Sequence, residues 1–163
     1  MHKLLTTSAL ALSIASMLAL PASATPYRQE IANNMRHCDG NSGPAIKVTV
    51  SGIRSASGTV RVQSYRATQA EWLTKGRWIN RIEAPARNGT MAFCVPLPAA
   101  GTYGIAVRHD VNDNGKTDIR TDGGAMSNNP SINIFNLGKP SYKRVGVDVG
   151  GGVTPITITM RYM

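Results

Sequence analysis

One short stretch of the chain places acidic and amide side chains at regular intervals. Four of the nine acidic residues fall within HDVNDNGKTDIRTD, positions 109–122, although the formal net charge is +9. The centre of this stretch reads D-x-N-x-N-G-x-x-D, the front of an EF-hand-like calcium loop, in which oxygens on alternate residues converge and a glycine lets the chain double back. The sequence therefore predicts a weak, structural calcium site. Its predicted ligands are the side chains of Asp110, Asn112, Asn114, Asp118 and Asp122 and the carbonyl oxygen of Lys116.

The match to a calcium loop stops before its last ligand. The twelfth position, where an EF-hand has a bidentate Glu, is Thr121, and Asp122 follows one residue later. Asn114 at the fifth position also removes a charge. Both changes predict weak binding, near the roughly 10⁻⁴–10⁻³ M that is typical of extracellular calcium modules. The alternative is an Asn/Asp/Gly-rich turn that side-chain to backbone hydrogen bonds hold without an ion.

The same region contains residues that could perform hydrolysis. His109 could act as a base, with Asp110 or Asp118 to orient it and Ser127 as the nucleophile. The sequence has neither a G-x-S-x-G nor an H-E-x-x-H motif. His109 and Asp110 are adjacent, and neighbouring residues of a strand point to opposite faces. We therefore expect a non-enzymatic protein, and a small periplasmic hydrolase is the alternative.

The first 24 residues have the pattern of a signal peptide. Lys3 precedes an almost wholly apolar or small run, and Ala22-Ser23-Ala24 has the small-x-small form of a cleavage site. Cleavage between Ala24 and Thr25 is predicted, followed by an N-terminal segment (25–44) and one domain (45–163). No later stretch approaches the roughly 18 apolar residues of a spanning helix. The protein is expected to be exported, to the periplasm or the extracellular space.

The charge of the predicted mature chain indicates which partners it could bind after export. Without Lys3, 17 basic residues remain against nine acidic ones, a net charge of +8. In an exported protein this favours an anionic cell-envelope component, glycan or lipid, over nucleic acid, through attraction that salt screens. The basic residues are spread along the chain, so the charge could also serve solubility alone.

The chain has two cysteines, Cys38 and Cys94. In an oxidising compartment an even number of cysteines predicts disulfides, here a single one. It would connect the N-terminal segment to a strand 56 positions later.

Short segments of alternating apolar and polar residues predict strands in most of the domain. The sequence thus predicts an all-β fold, a single antiparallel β-sandwich of about seven strands. Asn88-Gly89 predicts a two-residue hairpin, and Thr68–Glu71 has the capping-box form of one short helical turn. Residues 109–142 show little periodicity and are predicted to be a long loop. The apolar positions of the strands are Ile46, Val48 and Val50; Val60 and Val62; Ile79 and Ile82 after Trp78; Met91, Phe93 and Val95; Tyr103, Ile105 and Val107; Val145, Val147 and Val149; and Ile156, Ile158, Met160 and Tyr162.

Three consecutive stretches resemble a known bacterial family. They are LPAAGTYGIAV (97–107), HDVNDNGKTD (109–118) and MSNN (126–129). They are similar to the pattern LP-x-G-x-Y, H-D-x-N-x-N-G-x-x-D and F-S-N-N of an uncharacterised exported family, domain of unknown function 2141, and Met126 replaces its usual aromatic residue. The resemblance covers about residues 45–162. It implies export and an Ig-like or transthyretin-like sandwich, a fold that usually serves as a binding or accessory module.

Overall fold

The computed structural model describes residues 27–40, 42–131 and 138–163. The predicted signal peptide and its cleavage site at Ala24 and Thr25 lie outside these residues. No helix in the described part is long and apolar enough to cross a membrane. The described residues form ten strands: β1 (Gln29–Glu30), β2 (Ala45–Ile53), β3 (Thr59–Arg66), β4 (Asn80–Pro85), β5 (Gly89–Pro96), β6 (Gly101–Asp110), β7 (Gly123–Met126), β8 (Val147–Val149), β9 (Val153–Thr159) and β10 (Arg161–Tyr162). A short helix α1 (Tyr142–Val145) precedes β8, and a 3-10 helix (Met35–Cys38) precedes β2.

The strands form two sheets. The larger sheet has the order β1-β4-β3-β6-β7-β10, with β8 also paired to β6, and the smaller sheet has the order β5-β2-β9. Alternate apolar residues of both sheets form one continuous buried core, which includes Val48 of β2, Val62 of β3, Phe93 of β5 and Ile105 of β6. The prediction of an all-β sandwich is therefore confirmed.

Two strand pairs run parallel, whereas the sequence predicted an antiparallel sandwich. β1 pairs with β4 in parallel, and β9 pairs with β2 in parallel from Ala45 opposite Val153 to Ser51 opposite Thr159. The glycine run before β9 brings the chain back to the end of the sandwich where β2 begins, and Ala45 N donates to Gly152 O at 3.3 Å. The chain thus returns from β8 in the larger sheet to β9 in the smaller one, where it lies parallel to β2.

The predicted hairpin at Asn88-Gly89 is wrong. β4 pairs with β3 and β1 in the larger sheet, whereas β5 pairs with β2 in the smaller one. A type I′ turn needs positive φ at both central residues, but of the two only Gly89 has it, at 91°. The segment therefore carries the chain from one sheet to the other.

Strands and a helix occupy part of the long loop that the sequence predicts over residues 109–142, of which 132–137 lie outside the described residues. β6 continues to Asp110, Gly123–Met126 forms β7, and a helix begins at Tyr142. Two glycines in β7 remove the alternation by which a strand is recognised. At Gly123 a Cβ atom would lie 2.6 Å from the Tyr162 ring, so close packing requires glycine there. Val145 lies in the helix and not in the predicted strand.

The N-terminal segment is attached to both sheets. β1 extends the larger sheet along β4, and Asn33 then bonds to β5, accepting from Cys94 N at 3.1 Å and donating to Ala92 O at 2.9 Å. The predicted Cys38–Cys94 disulfide is present, with the two Cα atoms 5.8 Å apart. It fixes the 3-10 helix to the smaller sheet.

The predicted turn at Thr68 is present as a single helical turn, in which Trp72 N donates to Thr68 O at 3.0 Å. Trp72 Nε1 donates to Pro140 O at 2.9 Å, and the Trp72 ring lies 5.4 Å from that of Tyr65 in an edge-to-face contact. The turn thereby connects β3 to the segment before α1.

Candidate functional site

The acidic loop connects two neighbouring strands. β6 ends at Asp110, β7 begins at Gly123, and the two strands pair antiparallel with His109 opposite Gly123. Because antiparallel pairing brings these ends together, Asp110 and Asp122 lie side by side at the base of the loop. Residues 111–121 thus project from one end of the larger sheet.

Asp122 holds the base of the loop closed. Its Oδ1 accepts from Val111 N at 3.1 Å, and its Oδ2 accepts from Asp118 N at 2.9 Å. The residue is buried, with 6% of its surface exposed. The chain turns back just before it, where Asp118 O accepts from Asp122 N at 2.8 Å.

Asp110 has one carboxylate oxygen fully engaged and one without a partner. Its Oδ2 accepts from Gly115 N at 3.0 Å and from Arg108 Nη2 at 2.9 Å. Its Oδ1 is buried and has no hydrogen-bond partner, and the residue is only 4% exposed. Buried oxygens in native proteins nearly always have a donor, a water or an ion beside them.

Asn112, Asn114 and Asp118 converge at the tip of the loop. The Nδ2 groups of the two asparagines donate to Asp118 Oδ2, at 3.0 Å from Asn112 and 2.6 Å from Asn114. Their Oδ1 atoms accept from backbone N–H groups two residues later, at 3.3 Å from Asn114 and 2.8 Å from Lys116. The hydrogen bonds from Asn112 and Asn114 lower the pKa of Asp118 below its ordinary value of 3.8. Asp118 is therefore a carboxylate at neutral pH.

The structure thus brings part of the predicted ligand set together. Three of its members meet at Asp118 Oδ2, Asp110 reaches the loop from below through Gly115, and Asp122 holds the base. Among the described residues, no three His, Cys, Asp or Glu side chains lie close enough to hold a metal ion. An ion in this loop would therefore depend on the amide and carbonyl oxygens as much as on the carboxylates.

Two residues outside the predicted ligand set position Asp110. Arg108 donates to Asp110, to Gly115 O at 3.2 Å and to Thr117 Oγ1 at 3.3 Å, so it attaches the loop to the outer face of β6. Gly58, with φ of 74°, passes directly beside the end of β6, where a Cβ atom would be 1.9 Å from Asp110 O. For Gly58 the sequence indicates only a turn, because its close contact is with a residue 52 positions away.

His109 lies in the core between the two sheets. It is fully buried, its Nε2 lies 2.7 Å from Ser57 O, and its Nδ1 lies 2.6 Å from the Tyr162 hydroxyl. A carbonyl can only accept, so Nε2 carries the proton and Nδ1 accepts from Tyr162. Burial raises the pKa of Tyr162 above its ordinary value of 10.0, which keeps this hydroxyl protonated as a donor.

Ser127 is buried and engaged in the same way. Its hydroxyl donates to Val145 O at 2.6 Å and accepts from Ile105 N at 3.0 Å, so it joins β6 to α1. Neither Ser127 nor His109 has any exposed surface. The geometry therefore gives no support to the hydrolase alternative.

Comparison with known proteins places the chain in a family. Searches of curated proteins and of solved structures return no significant match. A family model described as an uncharacterized protein conserved in bacteria matches residues 48–157. That range contains β3 to β8, the acidic loop, Gly58, Arg108 and most of β2 and β9. The match covers most of the sandwich, and the chain thus belongs to this bacterial family, domain of unknown function 2141.

Proposed function

We propose that this protein is an exported, non-enzymatic binding module of the bacterial cell envelope, in which the 110–122 loop binds a structural calcium ion. The N-terminal signal pattern, the disulfide and the sandwich fold support export and a binding role. The calcium part depends on one observation above all, the unpartnered Oδ1 of Asp110.

An ion would remove an unfavourable feature of this loop. A buried, charged oxygen without a partner destabilises the fold by about 1–3 kcal/mol or more, because it has lost its hydration. Arg108 and Gly115 already occupy the other oxygen, so Oδ1 remains for a cation. Calcium suits the loop because it accepts six to eight oxygen ligands and tolerates neutral amide and carbonyl oxygens.

Calcium binding requires a defined change in the loop. The Nδ2 groups of Asn112 and Asn114 point toward Asp118 Oδ2, and ligation needs their oxygens to point inward. Rotation of the two side-chain amides turns the oxygens inward and gives up their present hydrogen bonds from Asn114 N and Lys116 N, which coordination to the ion would replace. In the ion-bound loop, the calcium ion replaces the two amide donors as the partner of the Asp118 carboxylate. The carbonyl of Lys116 supplies a further oxygen, and Asp122 supports the base.

A calcium titration of the purified, oxidised protein tests this proposal. Thermal unfolding is followed in chelator and with increasing calcium, and the heat of binding is measured in parallel. A ligand at ten times its Kd stabilises the folded state by about 1.4 kcal/mol, so millimolar calcium should raise the melting temperature. Magnesium should have a smaller effect, because it demands near-ideal octahedral geometry.

Matched variants test whether the calcium response comes from the 110–122 loop. Asn114→Ala, an exposed ligand, and Asp110→Asn should both abolish the calcium response. Asp39→Asn, an exposed carboxylate outside the loop, should keep it. Equal melting temperatures in chelator and in calcium, together with no heat of binding, would remove calcium from the proposal.

A further inference from the structure

The outer face of the larger sheet has a groove of about 860 Å³ beside the acidic loop. Thr117 and Ile119 of the loop line this groove, and so does Met163, which follows β10. This volume is within the roughly 300–1,000 Å³ that ligand sites usually have. The groove is thus large enough for one small molecule.

Strand register places a row of arginines across this groove. Arg61 of β3 is opposite Arg108 of β6, Arg108 is opposite Gly124 of β7, and Gly124 is opposite Arg161 of β10. These residues share the outer face, since side chains directly opposite each other in a sheet point the same way. Only the pairing of distant strands creates the row, because its members are far apart in the sequence.

Basic side chains outnumber acidic ones among the described residues of the groove. Of the described residues, five with basic side chains line it, and the one acidic side chain among them, Asp122, is buried and already accepts two backbone N–H groups. Arg61 pairs with Glu83 and Arg108 with Asp110. Within the described chain, the other three have no carboxylate within 4.0 Å: they are Arg54, Lys139 and Arg161. A single anionic group would therefore be attracted to these three side chains.

Part of the remaining lining is aliphatic. Ile119 and Met163, 65% and 59% exposed, are the large hydrophobic side chains that the described residues leave open to solvent, and both line the groove. Leu73 and Met126 extend this apolar surface, and thioether side chains adapt well to flexible apolar ligands. Exposed apolar side chains that cluster beside unpaired charges are typical of a binding site.

The floor of the groove is open at Gly124. A Cβ atom there would have nothing within 4 Å, and its φ is not positive, so a side chain could be built without backbone strain. An acyl chain can therefore lie across the sheet between Arg108 and Arg161. Among the described residues of the lining, Tyr162 has the one aromatic ring, and Arg54 covers it at 4.6 Å, which leaves little surface for stacking a sugar.

We infer that this groove binds a single-chain lipid with an anionic head group. The head group lies at Arg161, Arg54 and Lys139, and the chain lies over Gly124 against Ile119, Met126 and Met163. This inference rests on the proposed role as an envelope binding module and names the class of its ligand.

Calorimetry with three probes tests the ligand class. They are lysophosphatidylglycerol with one dodecanoyl chain, kept below its micelle concentration, the zwitterionic lysophosphatidylcholine with the same chain, and glycerol phosphate alone. The first should bind at one site, and the other two at least about tenfold more weakly. Equal binding of both lipids would overturn the requirement for an anion, and equally tight binding of glycerol phosphate would overturn the requirement for a chain.

Two variants test the location independently. Arg161→Glu reverses the charge, and Gly124→Leu fills the floor while leaving every charge in place. Each should weaken lysophosphatidylglycerol binding at least about tenfold, whereas Arg87→Glu, an exposed residue outside the groove, should leave it within about twofold. Unchanged binding in both groove variants would overturn the inference. The two groove variants should keep the calcium response, because neither Arg161 nor Gly124 belongs to the loop. Failure of the lipid inference can thus be distinguished from failure of the calcium proposal.

Discussion

The Tyr162 hydroxyl donates a hydrogen bond to Nδ1 of His109 at a separation of 2.6 Å, and this bond joins the C-terminal strand to the buried centre of the larger sheet. The two rings also meet edge to face, with centroids 5.8 Å apart. Tyr162 Oη accepts from Arg54 N at 3.2 Å, so one phenol connects β10, β6 and the end of β2. The arrangement positions the strand that carries Arg161 at the groove.

Tyr162→Phe should destabilise the protein by about 1–3 kcal/mol, because it leaves the buried Nδ1 of His109 without a donor. Urea unfolding measures the free energy of unfolding. Tyr142→Phe is the matched control, since its hydroxyl has no hydrogen-bond partner among the described residues. Equal losses in the two variants would contradict a structural role for the His109–Tyr162 bond.

Gly58→Ala should be more damaging than Gly76→Ala, although the two glycines have nearly the same φ, 74° and 77°. Gly76→Ala is the control, and it should destabilise the protein only by the strain of a left-handed backbone, about 1–2 kcal/mol. At Gly58 the new Cβ also meets Asp110 O at 1.9 Å, which should add about 1–3 kcal/mol by overpacking and displace the start of the loop. Unfolding experiments on both variants give the difference, and a calcium titration reports on the loop. Equal stability of the two variants would show that the close approach is unimportant.

Removal of the Cys38–Cys94 disulfide should lower the free energy of unfolding by about 4 kcal/mol, since the closed loop spans 56 positions. The variant Cys38→Ser/Cys94→Ser and reduction of the native protein should give similar unfolding curves. Reductant should have no effect on the double variant, which makes it the control. If thiol titration shows full reduction of the native protein without a change in stability, the prediction is wrong.

Asp118 should contribute to stability at neutral pH and lose that contribution in acid. Hydrogen bonds from Asn112 and Asn114 lower its pKa in the folded state below the ordinary 3.8. The contribution is therefore fully present above about pH 4 and is lost as the pH falls through the lower, folded-state pKa. The difference in melting temperature between the native protein and Asp118→Asn should shrink below pH 4.

The pKa itself can be followed by the carboxyl carbon resonance of Asp118. Asn112→Ala removes the largest cause of the shift and should move this pKa back toward 3.8. A native Asp118 that titrates at or above 3.8 would contradict the hydrogen-bonded arrangement at the tip of the loop.

Local patterns predicted the elements but not their partners. Alternation at Ile46, Val48 and Val50 indicates a strand with one buried face, because period two assigns side chains to faces. It does not indicate that β9 runs parallel beside that strand, nor that β4 and β5 lie in different sheets on either side of Asn88-Gly89. β7 was not predicted because Gly123 and Gly124 have no side chains that could show the alternation of apolar and polar residues.

The sequence by itself determined the sandwich class, the single disulfide and the oxygen-rich spacing of the 110–122 loop, since each of these follows from residue type and short-range period. Tertiary structure alone decided that one buried carboxylate oxygen of Asp110 has no hydrogen-bond partner among the described residues and that Arg61, Arg108 and Arg161 share one row across the sheet. The row depends on contacts between positions far apart in the chain, the registers of β3, β6, β7 and β10, and the burial of Asp110 places the end of β6 directly beside Gly58. Such contacts are set by how the whole core packs, and no local pattern specifies them.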